Sequence, residues 1–516
     1  MSEPHALPRH PALITASVML ASLLYSIDWT IGVVALPHMQ GSFSATQDQI
    51  AWVITSYIVA SAVMIPTGGW LSARFGRKRV FVVALSGFML ASTLCGAAES
   101  LTLEVMARVV QGMCGAFLIP LSHAIILDTY PPAEHGKAMA LWGMGSVAGS
   151  AIGPVLGGYL TEFASWRWIY YINLPLGVVA LMGVLVYLPE TVRDPKRRLD
   201  WFGFLSLAIG IGALQMMLDR GQRLDWFESE EIVLLAWMSA LGLYMFAVHI
   251  VSTDEPFLDP HLIANRKFFI TLLLISYYGF LSVPPMVLMP SFLQDLRGYN
   301  IDAVGLLQMP RGVGMFAAMF VSGRITGRIE PRLIIAAGLV ALALTNYEMS
   351  TWTAEVGEWP IVWTGLMQGI GAGIILVPIQ IIAFPSLAPK QRTEATSVFN
   401  AWRSVCSSVG VSLSLTIFVV AASEARSHLV EYVSPYHAAL HATQANRRLD
   451  ASSTHGLAVI ERQIDQQSAM FGYNAVFRFL AIATGSSLPL LLLIGRKNKP
   501  EPGGLEEPAQ ALVIGE

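Results

Sequence analysis

Charge is scarce in this chain: Asp, Glu, Lys and Arg make up 13% of its 516 residues, against about 25% in soluble globular proteins. That leaves too few charges to cover a soluble fold of this length. Cysteine is scarcer still, and Cys95, Cys114 and Cys406 stand singly in apolar runs with no CxxC spacing. Neither a disulfide framework nor a metal site is implied. No HExxH motif and no nucleophile–base set is written in the sequence, so an enzyme is not expected. The net charge of −3 says little about partners, and no nucleic-acid partner is expected.

Apolar residues fill the place of charge, at 54% of the chain with mean hydropathy +0.56. Runs long enough to span a bilayer core of about 30 Å lie near 13–36, 50–72, 80–98, 102–127, 138–161, 167–188, 201–218, 231–251, 268–294, 303–323, 333–348, 361–384, 395–421 and 471–494. This predicts an all-α polytopic membrane protein of about fourteen helices. The first run carries Asp28 and continues into ALPHMQGSF without a small-residue cleavage site, so it reads as an uncleaved span. Basic residues crowd alternate loops: Arg74, Arg77, Lys78 and Arg79, then Arg193, Lys196, Arg197 and Arg198, then Arg324, Arg328 and Arg332, and finally Arg496, Lys497 and Lys499. By the positive-inside bias both termini are expected in the cytoplasm.

An internal repeat organises the runs. Gly69-Trp-Leu-Ser-Ala-Arg74 and Gly323-Arg-Ile-Thr-Gly-Arg328 each close a helix at a basic loop, and Gln111-Gly112 and Gln368-Gly369 follow at nearly the same offset, each with a later proline at Pro120 and Pro378. Duplicated halves are how secondary transporters build alternating access around a midplane site. The expected division is a six-helix half over 1–200, two inserted helices over 201–251, a second six-helix half over 252–494 and a tail over 495–516.

Three sets of residues carry candidate chemistry. Gly145, Gly149, Gly153 and Gly157 recur every fourth residue in GSVAGSAIGPVLGGYL, beside Pro154 and Gly158. Such a ridge lets another helix approach closely; plain packing and a moving contact both remain open. Asp28 lies about eight residues from the outer end of its run and Arg108 about six, so at about 1.5 Å per residue they sit at nearly the same depth. Asp28 is read as the only acidic residue deep in the apolar runs, and both charges need a partner. Gln111 is one turn beyond Arg108 and on its face. His123 is a possible proton relay or a simple hydrogen-bonding residue. In the basic loop, Gly69, Arg74, Gly76, Arg77 and Lys78 read as a conformational motif or as topology determinants.

ARVVQGMCGAFLIP and GSAIGPVLGGYL resemble the fourth- and fifth-helix signatures of the major facilitator superfamily. SIDWTIGVVALP and WRWIYYINLPLGV resemble first- and sixth-helix patterns of its drug:proton antiporters with about fourteen spans, and LDTYPPAEHGKAMALWGM resembles the inner-membrane exporters of tripartite drug pumps. The resemblance implies a multi-pass inner-membrane exporter driven by the proton gradient without another cofactor. Its cargo would be lipophilic or amphipathic compounds, and its partners a periplasmic membrane-fusion adaptor and an outer-membrane channel. It implies coupling or binding roles for Asp28, Arg108 and Gln111, and it matches Arg311 and Arg403 to arginines common on second-half helices. A receptor or assembly scaffold on the same fold is the alternative.

One departure matters. The family's acidic residue in the basic loop is Ala73 here, and Gly327 in the repeated copy, so a latch built on that aspartate is not expected. The longest polar interruption, Ser423 to Met470, invites a docking role or a solvated insert.

Overall fold

The computed structural model describes residues 10–493 apart from 132–133, 192, 254–255, 327, 385–386, 388–390 and 432–453. Gly327 and the 495–516 tail therefore lie outside the described residues. Among those described, fourteen helices are long and apolar enough to cross a membrane: α1 Pro11–Phe43, α2 Gln47–Phe75, α3 Arg77–Gly96, α4 Leu101–Thr129, α5 His135–Phe163, α6 Trp168–Tyr187, α7 Trp201–Leu224, α8 Glu230–Ser252, α9 Arg266–Leu296, α10 Ala303–Ile325, α11 Pro331–Met349, α12 Glu358–Ala383, α13 Arg392–Glu431 and α14 His455–Leu492.

Local chemistry sets the ends. Thr46 and Gln49 form a reciprocal capping box at the start of α2, each side chain bonding the other's backbone N–H. Ser100 and Asp200 accept from the backbone N–H groups of Leu103 and Gly203 to start α4 and α7. Gly76, at φ +91°, makes the turn between α2 and α3, a backbone conformation that side chains with a Cβ rarely adopt. Prolines re-form several helices internally: Pro66 sits in a short 3₁₀ turn of α2, and the last turn of α9 is a π-helix over Phe292–Leu296.

The repeat seen in the sequence is a repeat of packing. In the first half α2 lies on α4, α3 on α4 and on α6, and α1 on α5 and α6. In the second half the same neighbours recur as α10 on α12, α11 on α12 and on α14, and α9 on α13 and α14. The fold is thus two six-helix halves with α7 and α8 inserted between them. The halves meet where α5 packs on α10 and where α13 crosses α2 and α4. The inserted α7 touches both halves, with Thr55 of α2 bonding Asp219 and Gln215 donating to Ser408 of α13 at 2.6 Å. By contrast α8 is mostly exposed and presents Trp237, Tyr244 and Val251 outward, the surface expected of a helix facing lipid.

Two sequence expectations change here. Helix α1 runs on to Phe43, well past its apolar run, so counting Asp28 from the end of that run understates its distance from the helix terminus. The polar stretch beginning at Ser423 is largely helical where it is described, because α13 continues to Glu431 and α14 begins by His455. Arg426 ties the two extensions together, bonding Glu461 at 3.5 Å and Asp465 at 3.1 Å.

Candidate functional site

The two charges that the sequence singled out meet inside the first half. Asp28 on α1 is fully buried, and Arg108 on α4 donates from Nη1 to its Oδ2 at 2.8 Å. Gln111, one turn along α4, accepts from Arg108 at 2.8 Å through Oε1 and donates to Asp28 Oδ1 at 2.8 Å through Nε2. Asn173, near the start of α6, donates to the same Oδ1 at 3.0 Å and to Ser92 of α3 at 2.9 Å. Donors from α4 and α6 therefore converge on one carboxylate, and the arginine is fixed in turn by the Val53 carbonyl of α2 at 3.2 Å and by the ring of Tyr57, 4.4 Å from its guanidinium carbon. Tight packing holds the arginine in place: a Cβ at Gly32 would lie 3.2 Å from its Nη2. An ion pair buried this deeply persists only when the remaining hydrogen-bonding capacity is met, and five helices contribute to meeting it.

Sequence reasoning missed Asn173, Ser92 and Tyr57. Asn173 lies within the quoted WRWIYYINLPLGV, where an amide in an apolar entry was the available signal. It also missed Glu104. Contrary to the expectation that Asp28 is the only deep carboxylate, Glu104 on α4 is 0% exposed, hidden because α6 and its preceding turn fold over a position that the sequence places only one turn inside a span.

The other candidates lie elsewhere. His123 on α4 stacks edge-on with Trp142 at 4.0 Å and meets two second-half residues, Asn400 Nδ2 at 3.2 Å from its Nδ1 and Gln380 Nε2 at 3.3 Å from its Nε2. Asn400 donating to Nδ1 leaves the proton on Nε2. Turning the Gln380 amide over then places its otherwise unpaired Oε1 to accept it. The histidine bridges the halves and is not part of the Asp28 cluster. Arg311 donates to the Ser282 carbonyl at 2.6 Å. Arg403 on α13 is half-buried, close enough for its charge to act on Tyr25, His123 and Tyr278.

The glycine ridge packs within its own half. A Cβ at Gly149 would lie 2.7 Å from the Leu23 carbonyl oxygen, and one at Gly157 2.6 Å from Ile31 Cγ1, both on α1. Gly145 and Gly153 face Met19 and Thr30 of the same helix. Gly158 and Pro154 are half-buried, and the side of α5 turned to the second half is a different one, where Gly136 meets Gly323 and Ala151 meets Gly312.

The basic loop is ion-paired after all, to carboxylates drawn from other helices. Asp128, at the end of α4, binds Arg77 and also Arg392 of α13 at 2.7 Å, and Arg77 Nε donates to Thr393 at 2.6 Å. Glu394 accepts from Arg197 at 3.2 Å and from the Asp259 backbone N–H. Partial burial pushes the Asp259 carboxyl up, but hydrogen bonds from His261 and Gln391 outweigh it and hold it below the ordinary carboxylate range. A Cβ at Gly69 would lie 2.8 Å from Glu394 Cα, so only glycine admits α13 this closely. Arg74 and Lys78 cap the Arg197 and Leu185 carbonyls at 2.8 and 2.7 Å.

Two six-helix halves, the first of which holds a buried ion pair, are the architecture of a secondary transporter. The profile of the Major Facilitator Superfamily matches residues 18–411, and the chain belongs to that superfamily. It is 33% identical over 496 residues to the multidrug export protein EmrB of Escherichia coli, covering 95% of this chain and 96% of that one. It is 34% identical over 471 residues to the fatty acid resistance protein FarB of Neisseria gonorrhoeae, covering 90% and 92%. Within the superfamily it therefore stands in the branch of drug:proton antiporters that holds EmrB, as a multi-pass inner-membrane protein. Among solved structures, the human organic anion transporter MFSD10 superposes with a TM-score of 0.62 at 15% identity over 93% of this chain and 99% of that one. A bacterial homologue of the lysosomal transporter Spinster superposes with a TM-score of 0.55 at 17% identity, covering 96% and 98%.

Proposed function

We propose that this protein is a proton-driven multidrug exporter that exchanges protons for lipophilic or amphipathic compounds by rocking its two halves, 1–200 and 252–494, about a central cavity. The proton gradient serves in place of any cofactor. The observation that carries this reading is Asp28, fully buried, with Arg108, Gln111 and Asn173 all donating to it. A proton added to Asp28 removes the charge that compensates Arg108. A buried guanidinium left alone costs on the order of 3–5 kcal/mol. That energy favours a rearrangement in which Arg108 finds a new partner or water, and so couples proton binding to a change of shape.

The other residues take supporting roles in this reading. Arg311 and Arg403 take binding or coupling contacts from the second half, and His123 ties the halves through Gln380 and Asn400. The Asp128 and Glu394 clusters latch the basic-loop end, which the charge bias assigns to the cytoplasm together with both termini. The helical extensions joined by Arg426 then reach the periplasm. There they are suited to receive a membrane-fusion adaptor of the EmrA-like kind, which leads to a TolC-like outer-membrane channel.

Purified protein in proteoliposomes with an imposed pH gradient, given a lipophilic fluorescent cation, tests the core of the proposal. The dye should accumulate only with the gradient, and protons should move the opposite way. Dye movement indifferent to the gradient would overturn proton coupling, and no movement at all would favour the scaffold alternative.

A further inference from the structure

Glu104 is the group for which this mechanism has so far no use. It is 0% exposed, and the Tyr170 hydroxyl is the one hydrogen-bonding side chain at its carboxyl among the described residues, with no ion-pair partner. Its place is specific: it lies four residues before Arg108 on α4, on the same helix face and about one turn closer to the outer end. The charged and titratable groups around it are Arg108 on its own helix, Asp28 on α1, Cys95 on α3, and Arg167 and Tyr170 at the entry to α6, with Tyr57 of α2 across the Arg108 guanidinium. Both arginines are already engaged. Arg108 holds Asp28, Gln111 and the Val53 carbonyl, and Arg167 donates to the Ala98 carbonyl at 2.8 Å while lying over Trp166.

The two carboxyl groups thus flank one arginine in opposite surroundings. Asp28 is ringed by donors. Glu104 has the Tyr170 hydroxyl alone and no charged donor, and a carboxylate buried with so little compensation is far more costly than the neutral acid. We propose that Glu104 is a second proton-binding site of this transporter, which takes a proton from the outer side and passes it to Asp28 while Arg108 changes partner from Asp28 to Glu104. The inference rests on the proton-coupled reading above.

The exchange balances. The O–H bond of Glu104 breaks as an O–H bond forms on Asp28, the net charge of Asp28, Arg108 and Glu104 is unchanged, and one proton moves one step inward. A glutamate four residues before an arginine is also the favourable orientation for an i,i+4 pair on a helix, so the Glu104 carboxylate left behind has a ready partner in the released guanidinium. Arg108 need only change its rotamer toward its own preceding turn.

The test uses full-length protein and two readouts. Infrared spectra of the purified protein, recorded in H₂O and D₂O, report the carbonyl stretch of a protonated, buried carboxylic acid without requiring transport. Wild type and Asp28→Asn should both show this band at neutral pH, and Glu104→Gln should lack it. In proteoliposomes Glu104→Gln should lower gradient-driven dye uptake by at least about tenfold and flatten its dependence on outside pH, with Glu104→Asp recovering part of both. A band that persists in Glu104→Gln overturns the assignment, as does a wild-type rate and pH profile in that variant. If Asp28→Asn itself transports normally, proton coupling through Asp28 fails, and the infrared comparison still decides whether Glu104 holds a proton.

Discussion

Asp28 and Arg108, on the first and fourth helices, form an ion pair at 2.8 Å with side chains 0% and 1% exposed. In an apolar bundle such a pair holds only while both charges remain, because either alone is a stranded buried ion. Replacing Asp28 by Asn keeps the shape and removes the titratable group. Gradient-driven export should vanish while membrane insertion is retained, and near wild-type efflux in energised vesicles would contradict the coupling role. Arg108→Ala should lose transport as well and lower the amount of inserted protein, which quantitative membrane blotting would measure.

Asn173 offers a milder perturbation of the same site. Its amide joins Asp28 to Ser92, so Asn173→Ala removes one charge-assisted bond worth about 1.5–3 kcal/mol. Thermal unfolding in detergent should shift down by a few degrees and transport should fall without being abolished. An unchanged melting curve and rate would mean that the amide does not hold the carboxylate.

The latch at the basic-loop end depends on Asp128, which serves Arg77 and Arg392 at once. Asp128→Asn should loosen that closure. A single cysteine placed at Thr396, buried beneath the latch, should then react several-fold faster with a membrane-impermeant thiol reagent applied from that side. An equal labelling rate in both backgrounds would show that the ion pairs do not hold the end shut.

The glycine ridge predicts a positional contrast. At Gly149 a side chain would run into the Leu23 carbonyl, which cannot swing aside, so Gly149→Leu should cost stability on the scale of overpacking, about 1–3 kcal/mol or more, with loss of folded protein. Gly158→Leu, off the ridge, should be tolerated. Equal tolerance at both positions in a thermal-stability assay would dismiss the close contact with α1.

Replacing Ser427–Gln467 with a short Gly/Ser linker should spare drug uptake into inverted vesicles yet remove whole-cell resistance and co-purification of a periplasmic adaptor. Co-purification at the wild-type level would place the dock elsewhere.

Much of this molecule is determined by sequence alone, for physical reasons that act locally. Span number follows from apolar length, and the duplicated halves follow from the paired motifs at Arg74 and Arg328. The Asp28–Arg108 pairing was an expectation because two charges at one depth in a bilayer each need a partner. Gln111 was legible too, since helix spacing alone puts it beside Arg108. The rest depends on which helix faces which. Asn173, Ser92 and Tyr57 join the site because α2, α3 and α6 happen to surround it, and no spacing within one helix encodes that. The same holds for the latch: sequence placed Ala73 where a carboxylate was awaited, and tertiary packing supplied Asp128 and Glu394 from helices far along the chain. Glu104 is the clearest case. One turn inside a span it could equally have faced water, and only the fold of α6 over it made it a buried carboxyl with no ion-pair partner.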